Sequence, residues 1–204
     1  GAIKTWNLDR NRLESIRPPL PYLEDSVEFK KDLDELTYIQ KNQSRKQAAI
    51  ANYWADGPGS FTPPGHWHRY AAKAGIDAEF NEIRMARLFA YVGTALMDAG
   101  IACWDTKYFY YSPRPQQFGL KTSVGLPNFP SYTSGHSTFS FAAATVLSAF
   151  FPDKESLFLQ YAWEASDSRV FGLIHYRIDC TMGAEHGKMI GLHAVQRASE
   201  DGAD

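Results

Sequence analysis

The sequence predicts an all-α fold, a helical bundle, on three observations. Apolar residues recur at helical spacing through most of the chain, and the Val/Ile/Thr alternation of strands is nearly absent. Gly and Pro clusters then cut the periodic stretches into separate helices. Residues 1–25 contain "RPPLPYLED", whose prolines predict an extended N-terminal arm on the surface, and residues 26–204 are read as a single helical domain. From Asp25, "DSVEFKKDLDELTYIQKN" predicts a helix ending near Asn42, and "SRKQAAIANYWAD" a second that opens on Ser44 as N-cap. "GPGSFTPPGHWH", residues 57–68, is dense in Gly and Pro and is predicted as a structured loop. A long helix is expected from about Asp77, nearly continuous in apolar residues from Leu88 to Trp104 and therefore central, with Pro113 and Pro115 ending it. Residues 116–135 are expected as loop, and helices follow at about 136–150, 154–172 and 178–198.

The bulk properties narrow the function classes. At 204 residues and 23.0 kDa the chain can bury one sizeable core. A net charge of -2 and a pI near 6.3 give no support for nucleic-acid binding or membrane adsorption. No apolar run approaches the length of a membrane span; "GHSTFSFAAATVLSAFF" is short, dotted with Ser and Thr, and ends at Pro152. Cys103 and Cys180 are too few for a disulfide framework and too far apart for a metal knuckle; buried thiols and a single bridge both stay open. "KTWNLDRNRLESIRPPLPY" reads as a continuation, so the chain is expected to be the C-terminal part of a longer protein.

Three separated segments hold the chemistry. "WDTKYFYYSPRP" carries Lys107 and Arg114 seven residues apart, a spacing of about two helical turns that would put both cations on one face. "SYTSGHSTF" places Ser134, Gly135 and His136 where a helix is expected to begin. Backbone N–H groups there favour an anion, and glycine allows it to come close. "SRVFGLIHYRID" carries Arg169, His175 and, four residues further on, Asp179, which could reach the imidazole and fix its tautomer. Together these groups suit an oxyanion with several oxygens, since guanidinium forks and helix N-termini both match such a ligand. Each part alone has a plain structural reading: a helix cap, a solvated helix-end cation, a salt bridge, a hydrogen-bonded core histidine. His66 and His68 lack a completing Cys, Asp or Glu and read as loop packing, and Glu185-His186 invites no more. His193 is expected half-exposed. The run "KYFYY" reads as packing, with Tyr108 or Tyr110 as candidates to line the site.

In this order and spacing, Lys107-x6-Arg114-Pro115, Ser134-Gly135-His136 and Ser168-Arg169-x5-His175-x3-Asp179 closely resemble the signature shared by type 2 phosphatidic acid phosphatases, class A acid phosphatases and vanadium-dependent haloperoxidases. One departure stands out: Thr133 occupies the position where the phosphatases have proline. Trp104, Phe129, "SRVFGLIHYRID" and "DGPGSFTPPGHW" resemble the haloperoxidase versions, closer to the bacterial ones. The resemblance implies vanadate as cofactor, with phosphate able to occupy the same place. His175 would be the metal ligand, and Lys107, Arg114, Ser134, Gly135 and Arg169 would bind the oxyanion. His136 would exchange protons, Asp179 would orient His175, and Trp104 and Phe129 would form a halide pocket. It implies hydrogen peroxide and halide as substrates. The alternative is a soluble phosphomonoesterase in which His175 forms a phosphohistidine. Export from the cytoplasm and pairing into a homodimer are inherited expectations of the same kind.

Overall fold

The computed structural model describes residues 3–203. Among them are eight α-helices and no strand: α1 (Arg10–Ser15), α2 (Val27–Asn42), α3 (Arg45–Tyr53), α4 (Thr62–Asp77), α5 (Glu82–Tyr110), α6 (Gly135–Phe150), α7 (Glu155–Phe171) and α8 (Arg177–Ser199). The all-α bundle expected from the sequence is therefore what forms.

The starts of the helices follow local chemistry. Ser26 caps α2, its hydroxyl accepting from the Phe29 N–H at 3.1 Å. Ser44 caps α3 as expected, and Gln47 returns a bond to the Ser44 N–H at 2.8 Å, a reciprocal box. Two predicted boundaries differ. The Gly/Pro segment at 57–68 is loop only to Phe61; α4 then starts at Thr62, with prolines in its first turn, where a missing N–H breaks no helical bond. Position 77, expected to open the long helix, instead ends α4, and the chain turns through Glu79 at φ +54° before Asn81 caps α5.

The arm also departs from expectation. It contains α1 and is docked on the bundle. The backbone N–H groups of Trp6 and Asn7 donate to Asp98 at 2.7 and 2.8 Å, Asp98 being fully buried in the middle of α5. Arg17 pairs with Asp105 at 2.6 Å, and the Tyr110 and Tyr132 hydroxyls donate to the Pro18 and Pro19 carbonyls at 2.8 and 2.7 Å. A polyproline-like stretch has free carbonyls, which these phenols use.

Helices α5, α6, α7 and α8 form the body, and α6 packs most extensively on α8. The core runs from Trp54 and Trp67 through Leu88, Val92 and Leu96 to Val146, Leu147 and Phe158. The α6–α8 contact depends on glycine: a Cβ on Gly187 would lie 2.2 Å from the Thr138 carbonyl oxygen. This close approach brings the first turn of α8 against the start of α6, where the Ser134 N–H donates to the Asp179 carbonyl at 2.9 Å. By length and composition α5 could cross a bilayer, contrary to the expectation that no segment would; here it lies inside the bundle against α4, α6 and α8 and buries Asp98 and Lys107. Cys103 and Cys180 are separate buried thiols.

Candidate active site

The three chemistry-bearing segments converge where the end of α5, the start of α6, the end of α7 and the start of α8 meet. Lys107 lies in the last turn of α5 and is fully buried. Its ammonium donates to the carbonyls of Pro130 at 3.0 Å, Ser131 at 2.7 Å and Thr133. Arg114 does not share a helical face with it, because α5 stops at Tyr110 and Tyr111 turns left-handed at φ +53°. The two cations converge because the chain doubles back. Arg114 opens the short 3-10 turn Pro115–Phe118 and donates to Phe129 O at 2.9 Å, Ile174 O at 2.7 Å and Pro130 O at 3.3 Å. Burial pushes Lys107 down to about 8 and Arg114 down to about 10.

Ser134 is the N-cap of α6, its hydroxyl accepting from the Ser137 N–H at 3.3 Å, and Gly135 begins the helix. His136 follows in the first turn, and its Nε2 is buried with no hydrogen-bond partner. Burial, then the nearby Arg169 charge, holds its pKa well below the ordinary imidazole value, while the Trp54 carbonyl opposes that shift. Arg169, in the last turn of α7, is 1% exposed. It donates to Ser168 Oγ at 2.8 Å, Trp54 O at 2.7 Å and Ala51 O at 3.1 Å, and burial lowers it to about 10.

His175 precedes α8, and Asp179 is in its first turn. The four-residue spacing thus works across a helix start: Asp179 Oδ2 accepts from the Tyr176 N–H at 3.2 Å and from His175 Nδ1 at 2.8 Å. Ser131 Oγ donates to the same oxygen at 2.5 Å. A carboxylate can only accept, so Nδ1 carries the proton and Nε2 keeps its lone pair. That atom faces Arg114 Nη1 at 3.3 Å. Burial, then Arg114, keeps His175 well below its ordinary pKa, and burial raises Asp179 to about 6 against the pull of Ser131 and the cations.

Charge is the decisive property. Among the described residues, Lys107, Arg114 and Arg169 make no salt bridge, although all three are at least nine-tenths buried. Three cations face the Asp179 carboxylate and, at Arg169, the charge of Asp56, so positive charge remains in excess with both imidazoles neutral. Buried unpaired charge is strongly unfavourable, and an anion with several oxygens would relieve it. Half-buried Trp104 and Phe129 pack at 4.9 Å, and the Lys107 nitrogen stands 5.8 and 5.3 Å from their ring centres. All ten candidate residues therefore lie in this one region.

Other expectations fare differently. Tyr110 is committed to Pro18 O and Tyr108 is 57% exposed, so neither bonds the cluster. His68 packs edge-on to Phe89, His186 is a buried core residue, and His193 is half-buried. His66 does have an acidic neighbour, contrary to the reading above: Asp56 meets its Nδ1 at 3.0 Å. No group of three or more metal-ligating side chains forms among the described residues. Ser131 and Trp54 went unnoticed in the sequence. Ser131, three residues before Ser134, carried no separate signal, and Trp54 acts through its backbone carbonyl, which any residue has.

Residues 87–201 match the family model described as the PAP2 superfamily. The chain is 28% identical to the vanadium chloroperoxidase of Curvularia inaequalis, over 52% of this chain and 23% of that protein. It superposes on a bacterial vanadium-dependent iodoperoxidase with a TM-score of 0.79 at 31% identity, covering 92% of this chain and 54% of that one. It also shares its fold with Aquifex aeolicus LpxE, at a TM-score of 0.60 and 16% identity over 86% of this chain and 99% of that one. The chain thus spans about half the length of the iodoperoxidase and less than a quarter of the chloroperoxidase.

Proposed function

The chain belongs to the PAP2 superfamily, and from that premise we propose that it is a vanadate-dependent haloperoxidase, oxidising halide with hydrogen peroxide at a site centred on His175. The observation that carries the proposal is the excess of buried positive charge around a neutral imidazole whose Nε2 lone pair points into it. A tetraoxo anion fits that donor set, and the unpartnered Nε2 of His136 is a buried group in want of a bond. His175 would hold vanadate through Nε2, with Lys107, Arg114, Arg169, Ser134 and the Gly135 N–H around its oxygens. When bound, vanadate supplies a Lewis acid that activates hydrogen peroxide towards halide without changing its own oxidation state.

The protein's own contributions follow from the geometry. Asp179 fixes the His175 tautomer and keeps Nε2 available as a ligand. Arg114 and Arg169 are preorganised by carbonyls and keep N–H donors to spare, so they meet developing negative charge without moving. Lys107, its three donors all on carbonyls, acts through its charge. His136 is poised to hold or release a proton at Nε2. Trp104 and Phe129 give the cluster an apolar, polarisable wall suited to a weakly hydrated halide. The similarity to an iodoperoxidase and a chloroperoxidase supports this subclass.

A phosphomonoesterase is the second reading, favoured by the same Asp179-tethered imidazole. Nε2 of His175 would attack phosphorus as the ester P–O bond breaks, and the leaving alkoxide would take a proton from His136, charged once the anionic ester lies beside it. Water would then cleave the P–N bond to free phosphate. Paired assays separate the two: iodide or bromide oxidation with peroxide after loading with orthovanadate, and phosphate-ester hydrolysis without it. Vanadate-dependent halide oxidation that His175→Ala abolishes supports the first; ester hydrolysis alone overturns it in favour of the second.

A further inference from the structure

We propose that Asp32 on α2 is a positioning residue for the site: its carboxylate caps α8 from outside and so fixes the Asp179–His175 pair for binding of the tetraoxo anion. The inference rests on the reading of the cradle above and brings into it a helix outside the three chemistry-bearing segments. The buried residues of α2 are Phe29, Asp32, Leu36 and Ile39, a spacing of three and four that makes one helix face. Three of them are apolar, as a buried stripe requires, and Asp32, 8% exposed, breaks the pattern. A carboxylate placed against the core is unfavourable unless a donor meets it, and a broken local rule of this kind points to a functional demand. The donor belongs to the start of α8: Asp32 Oδ2 accepts from the Ile178 N–H at 2.9 Å.

α8 needs such a partner because its own N-cap position holds Tyr176, whose side chain makes no capping bond. Asp179 takes the Tyr176 N–H at 3.2 Å and Asp32 takes the Ile178 N–H, so two of the donors left open at a helix start are met by carboxylates. Neighbours of Asp32 on α2 add to the grip. The Phe29 ring lies 5.1 Å from that of Tyr176, and Glu35 pairs with Arg177 at 2.6 Å, Arg177 also reaching Asp167 at 2.5 Å. Residues 176, 177 and 178 are thus each held by α2. On the far side the Asp179 carbonyl accepts from the Ser134 N–H at 2.9 Å. The backbone around Asp179 is therefore pinned between α2 and the start of α6, which aims its carboxylate at His175 Nδ1, 2.8 Å away. With the Ile178 N–H released, the first turn of α8 would fray and carry Asp179 with it. Among the described residues Asp32 makes no hydrogen bond to the cradle side chains, so its effect passes through this backbone.

The test titrates the full chain with orthovanadate and, separately, with inorganic phosphate, and follows heat. It also records by NMR the His175 ring N–H resonance, identified as the one that His175→Ala removes. Asp32→Asn keeps an acceptor for the Ile178 N–H and serves as the rescue. Asp32→Leu continues the apolar stripe and removes the cap without opening a cavity, and Asp32→Ala removes it without adding bulk. Groups that orient a ligand-binding side chain typically alter affinity about 10- to 100-fold. Both disrupting variants should weaken both anions about tenfold or more and shift or broaden the His175 signal. Asp32→Asn should stay within about twofold of the parent with its signal in place. Unchanged anion affinity or an unmoved ring signal in Asp32→Ala, whatever its melting temperature, makes Asp32 merely structural and overturns the proposal. Asp32→Asn as weak as Asp32→Ala overturns it too, since the loss then follows the charge and not the cap. If Asp32→Leu overfills its place and does not fold, Asp32→Ala decides alone. Should the parent bind neither anion, the cradle reading itself fails. The cap is then judged on the ring signal: unmoved in Asp32→Ala overturns it, and shifted there but restored in Asp32→Asn supports it.

Discussion

Replacing Lys107 with methionine isolates the cost of the unneutralised charge. Met has similar length and is tolerant of packing, so the buried volume changes little. In the native protein burial holds the ammonium at about 8, against 10.5 for an ordinary lysine. That depression corresponds to roughly 3 kcal/mol of differential stability. Its sign is fixed by proton counting. Below pH 8 the lysine is charged in both states and the native protein bears the full penalty. Between pH 8 and 10.5 the unfolded chain keeps a proton that the native one has released, so stability rises with pH. Above 10.5 both forms are neutral and the penalty is gone. Denaturant unfolding of parent and Lys107→Met at intervals from pH 7 to 10.5, without phosphate, measures the difference. The parent should gain about 3 kcal/mol on the variant across that window, groups remote from Lys107 cancelling in the subtraction, coupled Arg114 changing its own titration and the lost carbonyl bonds entering as an offset. A flat difference, or one of opposite slope, refutes the argument that the cradle is short of negative charge. Saturating orthovanadate should flatten the parent's curve, because an anion restores the lysine's affinity for its proton.

Other changes give separate checks. His175→Ala should lower turnover by about three orders of magnitude or more in a steady-state assay of either activity, since it removes the group on which both depend. Asp179→Asn should reduce kcat by about 10- to 100-fold with little change in overall fold by circular dichroism, because it frees the His175 ring to take the other tautomer. The same substitution removes a carboxyl that titrates near 6, above its unfolded value of 3.8. The parent should therefore gain stability relative to the variant as pH falls from 6 towards 4, as urea unfolding would show. Gly187→Ala, whose methyl would meet the Thr138 carbonyl, should cost about 3 kcal/mol in urea unfolding and loosen the α6–α8 contact.

Much of this site was legible because its groups are side chains with specific chemistry at fixed spacing. Ser134 as a cap, Gly135 as a helix start and Asp179 beneath His175 all follow from local rules. The reason Lys107 and Arg114 come together was not legible: the spacing fitted two turns of helix, yet a left-handed Tyr111 ends the helix between them. Prolines at 63 and 64 read as breakers in the sequence, although a helix accepts them in its first turn. The arm's docking depends on Asp98, a carboxylate in an apolar helix whose partners are backbone N–H groups 91 and 92 residues away. Trp54 escaped for a related reason, since its carbonyl carries no trace in the residue type. Partners that are backbone atoms from distant segments leave no pattern to read.

The docked arm has a mechanical consequence for the cradle. Tyr132 grips the Pro19 carbonyl, and its neighbours Ser131 and Thr133 lend their own carbonyls to the Lys107 ammonium. The other end of the arm is moored on Asp98, about two and a half turns back along the helix that carries Lys107. Strap and helix thus make a closed loop with the lysine at the buckle. A shift of the strap would be felt by the ring of oxygens around that nitrogen, so the buried charge and residues 6–19 are tied to one another across the face of the protein.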